Sequence, residues 1–511
     1  MRERITFLHR PDDALDPKQL QLQNDTLHVT FLKAAREDKL TVGLYELPQE
    51  LWRALKQCYE LHIRWISPNP YLSVAPFVST ASPGLHVFFT PQRDKSADLL
   101  CPLLSKTFGA RVDCRTPEDT FIHLPVASKR FASSAAFQHY QTLPSLTDLA
   151  TYLHQRICPE EDESCRRRAA SLKSADYLDI DYDTLSQSLV LSAFWHSPPL
   201  TEAWDERIDK SKASDKVEIG VLASEKPAQP EELSLAGFLA VVGEDSKPNP
   251  TLFSFPSRHH VAPSTSGTEY STAFLEPIGL HPTLRLTLSS STDPPTDGCA
   301  LHTYLTLPSS LFLDKYQLSS SNFLASKNLH SIRSLAGETD LEAPIWTVSK
   351  WGSTLLLELA PPPSTSGLRS AGTVKEPGGS WHADVPLHLR YLPPNREGHA
   401  FVSVAWPIVF WACPSDEGTK MSTNPFDRVN LGYDGLFGPR TMFYHLQPAS
   451  GGESLLEEIL VPVLDMEGSK MKWVQSGTVT TVVLGFLWVC LKLLAVNRGS
   501  LGRKGGRWKG D

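Results

Sequence analysis

The stretch LHTYLTL (301–307) alternates along its length, with Leu301, Thr303, Leu305 and Leu307 on one side of an extended chain. Because successive side chains of a β-strand point to opposite faces, this pattern predicts a strand with one buried face. The same period of two recurs in four segments of this region: 284–288, 355–359, 385–391 and 402–406. Turn-rich gaps such as DPPTDG (293–298) separate the segments, so we expect a β-sandwich-like domain over residues 273–464.

Residues 1–200 carry signals of both kinds of secondary structure. Residues 27–31 and 85–89 are predicted strands, and residues 49–61 and 145–157 are predicted helices. Residues 201–272 are rich in proline and serine, with short apolar pieces, and are predicted to connect the α+β region to the β domain. The expected fold is therefore mainly β with some α.

A second decisive stretch lies near the C-terminus. Residues 473–491, WVQSGTVTTVVLGFLWVCL, carry no charge, and the apolar run resumes after Lys492 as far as Val496. A helix of this length crosses the apolar core of a bilayer. The sequence therefore predicts one transmembrane helix over residues 474–496 and a basic tail over residues 497–511.

The charges that flank this helix predict its orientation. The tail carries five basic residues against Asp511 alone: Arg498, Arg503, Lys504, Arg507 and Lys509. The positive-inside rule places such a tail in the cytosol and the large body across the membrane. The glycosylation acceptor Asn24 and seven body cysteines agree with that side. The N-terminus lacks an apolar signal-peptide core, which leaves a tail-anchored, cytosolic body as the alternative.

Composition and motifs narrow the function classes. The net charge of −8 and the absence of a basic, aromatic-rich patch in the body argue against a nucleic-acid partner. Cys158 and Cys165 either close a small loop in an oxidising compartment or stay buried thiols. The DxD patterns at 179–181 and 181–183 suit a metal-dependent glycosyltransferase that uses Asp179 and Asp181, but no phosphate-binding loop accompanies them. An acidic strand edge is the favoured interpretation, and we expect no metal or cofactor.

Four segments of the β domain carry a resemblance to a known family: LPSSLFLDKYQL (307–318), DLEAPIW (340–346), VPLHLRYLPP (385–394) and FVSVAWPIVFWACP (401–414). Together with the C-terminal helix, they resemble the PIG-X family over residues 273–496, including its long fungal members. The resemblance implies a non-catalytic protein of the endoplasmic reticulum membrane. Its implied partner is the polytopic mannosyltransferase that adds the first mannose to glycosylphosphatidylinositol, which it stabilises. The fungal form is also implied to help other lumenal proteins fold.

Several residues are candidates for contacting such a partner. His388 and Arg390 share one face of a predicted strand, opposite Tyr391, and form either a contact surface or, through Arg390, an ion pair that fixes sheet register. Trp406 and Trp411 lie on either side of Pro407, close to Phe410. One or two of these rings are expected in the core, and one left exposed would anchor a partner or the headgroup layer.

A long segment and the membrane helix complete the candidates. Residues 424–446 form either a docking loop, with Phe426, Tyr433 and Phe437 as anchors, or a loop folded back on the sheet edge. Gly477, Thr481 and Gly485 recur every four residues and form a stripe on which another helix could pack closely. Three functions follow from the sequence: a stabilising subunit, a metal-dependent lumenal glycosyltransferase, or a general lumenal chaperone.

Overall fold

The computed structural model describes residues 1–501 except 10–16, 24, 94–95, 126–134, 200, 211, 213, 263–268, 290–292, 342, 363–380, 417, 450–453 and 466–468. The fold is mainly β with some α, which confirms the predicted class. The chain divides into two compact units. Unit 1 comprises residues 1–391 and 403–459, and unit 2 comprises residues 392–402 and 460–511.

The first half of unit 1 contains fourteen described strands and five short helices. The strands are β1 (Arg2–His9), β2 (Leu20–Gln23), β3 (Thr26–Leu32), β4 (Ala34–Gly43), β5 (Cys58–Ile66), β6 (Gly84–Pro91), β7 (Ile122–His123), β8 (Phe137–Gln141), β9 (Tyr177–Asp183), β10 (Ser188–Trp195), β11 (Trp204–Asp209), β12 (Lys216–Glu225), β13 (Glu232–Val241) and β14 (Asn249–Pro256). The helices are α1 (Gln49–Leu55), α2 (Leu100–Phe108), α3 (Pro117–Thr120), α4 (Thr147–Tyr152) and α5 (Glu163–Ser171).

The rest of the chain adds the other described strands and two helices. The strands are β15 (His259–Val261), β16 (Glu269–Phe274), β17 (Thr283–Leu288), β18 (Ala300–Pro308), β19 (Leu311–Phe312), β20 (Leu329–Gly337), β21 (Gly352–Leu359), β22 (Trp381–Pro386), β23 (His388–Leu389), β24 (His399–Ala405), β25 (Ile408–Pro414), β26 (Thr441–His445), β27 (Gln447–Pro448) and β28 (Leu456–Pro462). The helices are α6 (Ser321–Ser326) and α7 (Ser469–Leu501).

Eleven strands of the first half form one large sheet, in the order β14-β13-β12-β1-β4-β10-β9-β5-β6-β8-β7. All of its pairings are antiparallel except that of β1 with β12. A separate sheet of three strands has the order β11-β3-β2. The apolar pieces of residues 201–272, which the sequence treats as a connecting region, thus include three strands of the large sheet.

The second half forms a sheet of six strands, β15-β26-β25-β18-β21-β20, and a sheet of four, β22-β17-β16-β27. In β17 the leucines are buried and the residues between them are partly exposed, as the period of two predicts. In β18 seven consecutive residues are buried on both faces. Thr303, on the side of the leucines, and Thr306, on the opposite side, therefore both belong to the interior.

The two halves of unit 1 share one hydrophobic core. Phe77 from the first half packs edge-on against Phe426 from the second, with ring centroids 5.5 Å apart. One continuous cluster of buried residues contains members from both halves, among them Leu8, Ile66, Phe77, Phe194, Phe410, Phe426, Tyr433 and Phe443. Trp351 belongs to a second, smaller cluster that also joins the two halves, and its indole N–H donates a hydrogen bond to the carbonyl of Gln138.

Three disulfide bonds pair six cysteines: Cys101–Cys114, Cys158–Cys165 and Cys299–Cys413. The second of these closes the small loop that the sequence left open between two interpretations. Its loop leads directly into α5, where the Asp162 carboxylate accepts the N–H of Cys165 at 2.9 Å and caps the helix. Cys58 stays a buried free thiol, and burial raises its pKa to about 12.

Local predictions in the first half are confirmed in part. β3 and β6 cover the two predicted strands, and α4 with the π-helical turn Leu153–Ile157 covers the second predicted helix. The first predicted helix was wrong in length, because α1 ends at Leu55 and Cys58 begins β5. The predicted strand over 385–391 is broken in two, at Leu387, into β22 and the short β23.

Unit 2 carries the C-terminal helix α7. The portion Met471–Val496 has a mean hydropathy of 2.2, and within the described residues it is the one helix long and apolar enough to span a membrane. No described residue covers the apolar portion, since none of it is buried. A helix that is apolar on all sides and exposed in water would be costly, so a lipid environment suits it.

Candidate partner-binding site

His388 lies in the short strand β23, which pairs with β19. Its ring stacks on Phe312, with centroids 5.3 Å apart, and its Nδ1 lies 3.0 Å from the Nδ1 of His281. Its Nε2 lies 3.3 Å from the side-chain oxygen of Gln317. Burial and the neighbouring His281 lower the pKa of His388 below its usual value. His388 therefore links three segments of unit 1 and keeps part of its ring in solvent.

Arg390 does not lie on a wet face, which corrects the prediction for this residue. Its side chain is buried, and its Nη1 donates hydrogen bonds to the carbonyls of Asp340 (2.5 Å) and Ala343 (2.7 Å). Its guanidinium also stands 4.4 Å from the centroid of the Phe312 ring. Arg390 thus holds the DLEAPIW segment against the β19–β23 pair instead of pairing with a carboxylate across the sheet.

Tyr391, the next residue, is two-thirds exposed. Its carbonyl accepts the N–H of Ile345, which places Trp346 beside this strand end. Trp346 is similarly exposed, as is Tyr316, the neighbour of Gln317. Sequence reasoning missed Trp346 and Tyr316 as candidates, although both lie in segments that carry the family resemblance. The signal available was an aromatic residue at the end of each segment.

Trp406 and Trp411 are both buried in unit 1. The indole of Trp406 donates to the Glu457 carboxylate at 2.9 Å, and its ring packs near Tyr270. Trp411 lies in the middle of the six-stranded sheet, on β25. Neither ring presents a docking surface in this structure, and both contribute to the core.

The segment 424–446 is folded back on unit 1, which was the second of its two interpretations. Phe426 and Tyr433 are buried, and Phe437 is half-buried against Phe410 and Phe443. The Tyr433 hydroxyl donates to the carbonyl of Thr80 at 2.7 Å. The three rings therefore fill the core that the two halves share, and do not serve as exposed anchors.

Gly432 explains part of this loop's path. Its φ of +95° is in the left-handed region, where a Cβ costs energy. A Cβ there would also meet the Tyr304 hydroxyl at 2.5 Å. A glycine at 432 lets the backbone pass directly over Tyr304.

Arg428 anchors the same segment to the first DxD carboxylate. Its Nη2 donates to Asp179 at 2.7 Å, and its Nε lies 2.6 Å from the other oxygen of the same carboxylate. Its Nη1 donates to the carbonyl of Ser79, and its guanidinium stacks 4.0 Å from the ring of Tyr177. Arginine and carboxylate are both buried, so each compensates the charge of the other.

The second DxD carboxylate is also occupied. Asp181 accepts from Arg64 at 2.6 Å and lies 2.7 Å from the Nδ1 of His62. Burial would raise the pKa of Asp181, but the positive charge of Arg64 and the contact with His62 outweigh it and hold that pKa below the usual range. Burial likewise opposes the charge on His62, yet its contacts with Asp181 and Glu60 raise its pKa.

These contacts decide what the DxD patterns can do chemically. Asp179 and Asp181 form ion pairs with Arg428 and Arg64. Both arginines would have to move away before a cation could bind to these carboxylates. Across the described ranges, no group of three or more His, Cys, Asp or Glu side chains is arranged to hold a metal ion. The acidic pair belongs to an ion-pair network that ties the first half to residues 428–429, since Arg64 also donates to the carbonyl of Val429 at 2.8 Å.

In α7, the stripe of Gly477, Thr481 and Gly485 is open. A Cβ built on either glycine meets no atom within 4 Å. The Thr481 hydroxyl donates to the carbonyl of Gly477 within the same helix, so it adds no unsatisfied polar group to the stripe. Packing of a second helix on this stripe stays a prediction. Asn24 and the basic residues beyond position 501 lie outside the described residues.

Comparison with known proteins identifies the family to which this chain belongs. The model of the family described as PIG-X / PBN1 matches residues 277–494. Protein pbn1 of Emericella nidulans is 48% identical over 98% of this chain and 97% of its own length. This chain belongs to the PIG-X / PBN1 family.

Two further relatives show how the similarity is distributed. Protein pbn1 of Neurospora crassa is 44% identical over 97% of this chain and 95% of its own length. Protein PBN1 of Saccharomyces cerevisiae is 31% identical over 47% of this chain and 48% of its own length. The PIG-X / PBN1 match includes β23, the segments around it and most of α7, whereas β1–β14 precede it.

Proposed function

We propose that this chain is a non-catalytic subunit that stabilises the endoplasmic reticulum mannosyltransferase responsible for the first mannose of glycosylphosphatidylinositol. The observation that carries the proposal is membership of the PIG-X / PBN1 family, combined with one membrane-length apolar helix among the described residues. An enzyme that uses a lipid-linked sugar donor needs a cavity at membrane depth, which several helices build together. One helix supplies an anchor and a contact surface instead.

The occupied DxD carboxylates favour a stabilising role over a metal-dependent glycosyltransferase. Asp179 and Asp181 are already paired with Arg428 and Arg64, and no phosphate-binding loop motif accompanies them. A protein that binds the folded form of its partner lowers the population of misfolded forms by mass action. That is the mechanism we assign to this subunit.

The proposed topology puts unit 1 in the lumen and the basic tail in the cytosol. Three disulfides suit an oxidising compartment, in which such bonds form and persist. The five basic residues of the tail favour the cytosolic side. Protease added to sealed microsomes should leave unit 1 intact, whereas digestion of unit 1 with interior markers spared would reverse the topology.

The test of function is depletion of the protein in cells, followed by measurement of two quantities. We expect the abundance of one polytopic mannosyltransferase to fall, and the first mannosylation of glycosylphosphatidylinositol to fall with it. The double variant Asp179→Asn/Asp181→Asn, expressed to the abundance of the parent protein, should rescue both quantities, because neither carboxylate is catalytic. An unchanged mannosyltransferase with many unrelated lumenal proteins lost would instead identify a general chaperone.

A further inference from the structure

Five large apolar side chains of unit 1 are exposed around the β19–β23 pair. They are Leu280 (50% exposed), Tyr316 (66%), Leu341 (43%), Trp346 (63%) and Tyr391 (66%), and we call them the aromatic patch. They come from four segments of the chain, of which one supplies both Leu341 and Trp346. Exposed apolar residues gathered in one region mark interaction sites more often than isolated ones do.

Hydrogen bonds hold the segments of the aromatic patch together. The N–H of Leu389 donates to the carbonyl of Leu280, and the N–H of Ile345 donates to the carbonyl of Tyr391. Arg390 donates to the carbonyl of Asp340, next to Leu341, and Gln317, next to Tyr316, contacts His388. The backbone that carries these exposed side chains is therefore held in place before a partner binds. Such preorganisation lowers the entropy that is lost on binding.

The size of the aromatic patch limits what it can do alone. Three aromatic rings that are each about two-thirds exposed present on the order of 400 Å² of surface. A stable, independent interface buries about 800 Å² on each partner. The patch is therefore too small for a strong complex by itself, but it suits a contact between proteins already held together in a membrane, where the effective concentration is high.

The charges around the aromatic patch indicate which kind of partner could bind it. Four described carboxylates stand on its segments, Glu276, Asp314, Glu338 and Asp340, against Lys315 and the buried Arg390. Two of them lie near enough to Arg390 to act on its charge, and Asp314 acts on His388. An anionic bilayer surface repels such a rim, and so does a second copy of this chain, which carries the same charges. A segment with basic residues beside its apolar ones is attracted to it.

We propose that the aromatic patch docks a lumenal protein segment whose aliphatic or aromatic side chains are flanked by lysine or arginine. The inference rests on the proposed function in one respect: it assigns this segment to the catalytic mannosyltransferase subunit. Trp346, Tyr316 and Tyr391 contact the apolar side chains, and the acidic rim pairs with the basic flank. The helix α7 and the patch then provide two separate contacts with one partner.

The test compares two triple variants of the full-length protein, each purified with its partner in mild detergent. The patch variant is Tyr316→Ser/Trp346→Ser/Tyr391→Ser. The matched control is Tyr45→Ser/Leu185→Ser/Leu252→Ser, which changes three apolar residues at least as exposed but distant in sequence from the patch. We expect the patch variant to recover at least tenfold less mannosyltransferase, and the control to recover the normal amount.

A second pair of variants tests the charge and guards against misfolding. Asp314→Asn/Glu338→Gln keeps side-chain acceptors for the local backbone hydrogen bonds and removes two charges, so we expect a several-fold loss of partner and a weaker dependence on salt. Tyr316→Phe/Tyr391→Phe keeps the aromatic rings, so we expect this variant to recover as much mannosyltransferase as the parent protein does. All variants must keep the unfolding temperature of the parent, since their side chains are exposed.

Three results would overturn the inference. In the first, the patch variant recovers as much partner as the control does. In the second, it loses binding to vesicles of phosphatidylcholine and phosphatidylserine while partner recovery stays normal, which would identify a lipid surface. In the third, it loses only self-association. The proposed function fails separately, if complete depletion of the protein leaves the mannosyltransferase unchanged.

Discussion

Two groups of aromatic side chains in unit 1 have similar composition and opposite positions. The inner aromatic cluster consists of Phe410, Phe426, Tyr433, Phe437 and Phe443 with His259 and His445, and most of its members are buried. The aromatic patch consists of tyrosine, tryptophan and leucine side chains that stay in solvent. The sequence offered Phe426, Tyr433 and Phe437 of the first group and Tyr391 of the second as partner anchors, and left a folded-back loop as the alternative for the first three. The comparison teaches that an aromatic residue type identifies a possible partner contact. Whether that side chain is buried or exposed depends on the surrounding charges and backbone.

The two groups also differ in how they are held. The inner aromatic cluster is fixed by buried charges from the other half of the molecule, above all the Arg428–Asp179 pair. The aromatic patch is fixed by backbone carbonyls and two short strands, so its side chains remain available. The first arrangement stabilises the fold, and the second presents a surface. The predictions below test this division, from the largest expected effect on stability to the smallest.

Acidification should destabilise the buried interior most. Burial, with the neighbouring His260, lowers the pKa of His445 to about 3, and burial lowers the pKa values of His139 and His86 to about 3 and about 4. A histidine whose pKa is lowered by folding gains its proton first in the unfolded state, so the free energy of unfolding falls as pH drops below the unfolded value near 6.5. Each histidine should cost about 2 kcal/mol between pH 6.5 and pH 5.

Asp427 opposes this trend, because burial raises its pKa to about 6 and it gains a proton in the folded state first. Burial also raises the pKa values of Glu3, Glu37 and Glu206, so these carboxyls too offset part of the loss from the histidines. Unfolding in denaturant, followed by tryptophan fluorescence at pH 7, 6 and 5, measures the net effect. A free energy of unfolding that stays constant over this range would contradict the assignment of these histidines to the interior.

Arg428→Ala should lower the free energy of unfolding by about 4 kcal/mol, because it leaves the Asp179 charge buried and poorly compensated. The loss should be larger than that from Arg167→Ala, since Arg167 is exposed. Denaturant unfolding of both variants provides the measurement. Equal losses for the two arginines would show that the ion pair does not anchor the segment 424–446.

Tyr433→Phe should cost about 1–2 kcal/mol, because the half-buried carbonyl of Thr80 loses its donor. The matched change is Tyr45→Phe, on a tyrosine that is largely exposed, and it should have no measurable effect on stability. Thermal unfolding of the two variants gives the difference. If Tyr433→Phe left the unfolding temperature unchanged, the Tyr433 hydroxyl of the parent protein would have to be in contact with water.

Trp346→Ala should change the free energy of unfolding by less than about 0.5 kcal/mol, since an exposed side chain adds little to folding. The same change should reduce recovery of the partner. This separation of stability from association is the sharpest form of the comparison, because buried aromatic residues lose both together. A large fall in the unfolding temperature would move Trp346 from the aromatic patch to the core.

Part of the fold follows directly from local sequence. The alternating leucines correctly predicted strand β17, because the geometry of an extended backbone imposes a period of two. The uncharged run correctly predicted the apolar helix α7, because the thickness of a bilayer sets the length of such a run. The continuation of helix α1 past Leu55 was wrong, because pairing with β6 and β9 draws Cys58 into a strand. Arg390 was placed on the wrong side because the strand breaks just before it.

The sequence by itself determined that this protein is mainly β, that it carries one apolar helix, and that its C-terminal half belongs to a known family. These properties reside in periodicity, hydrophobicity and short motifs, which a local stretch of chain contains in full. Only the tertiary structure decided which aromatic residues face solvent and how the acidic pair is used. Asp179 and Arg428 are 249 positions apart, and no local pattern encodes a contact that two distant segments create together.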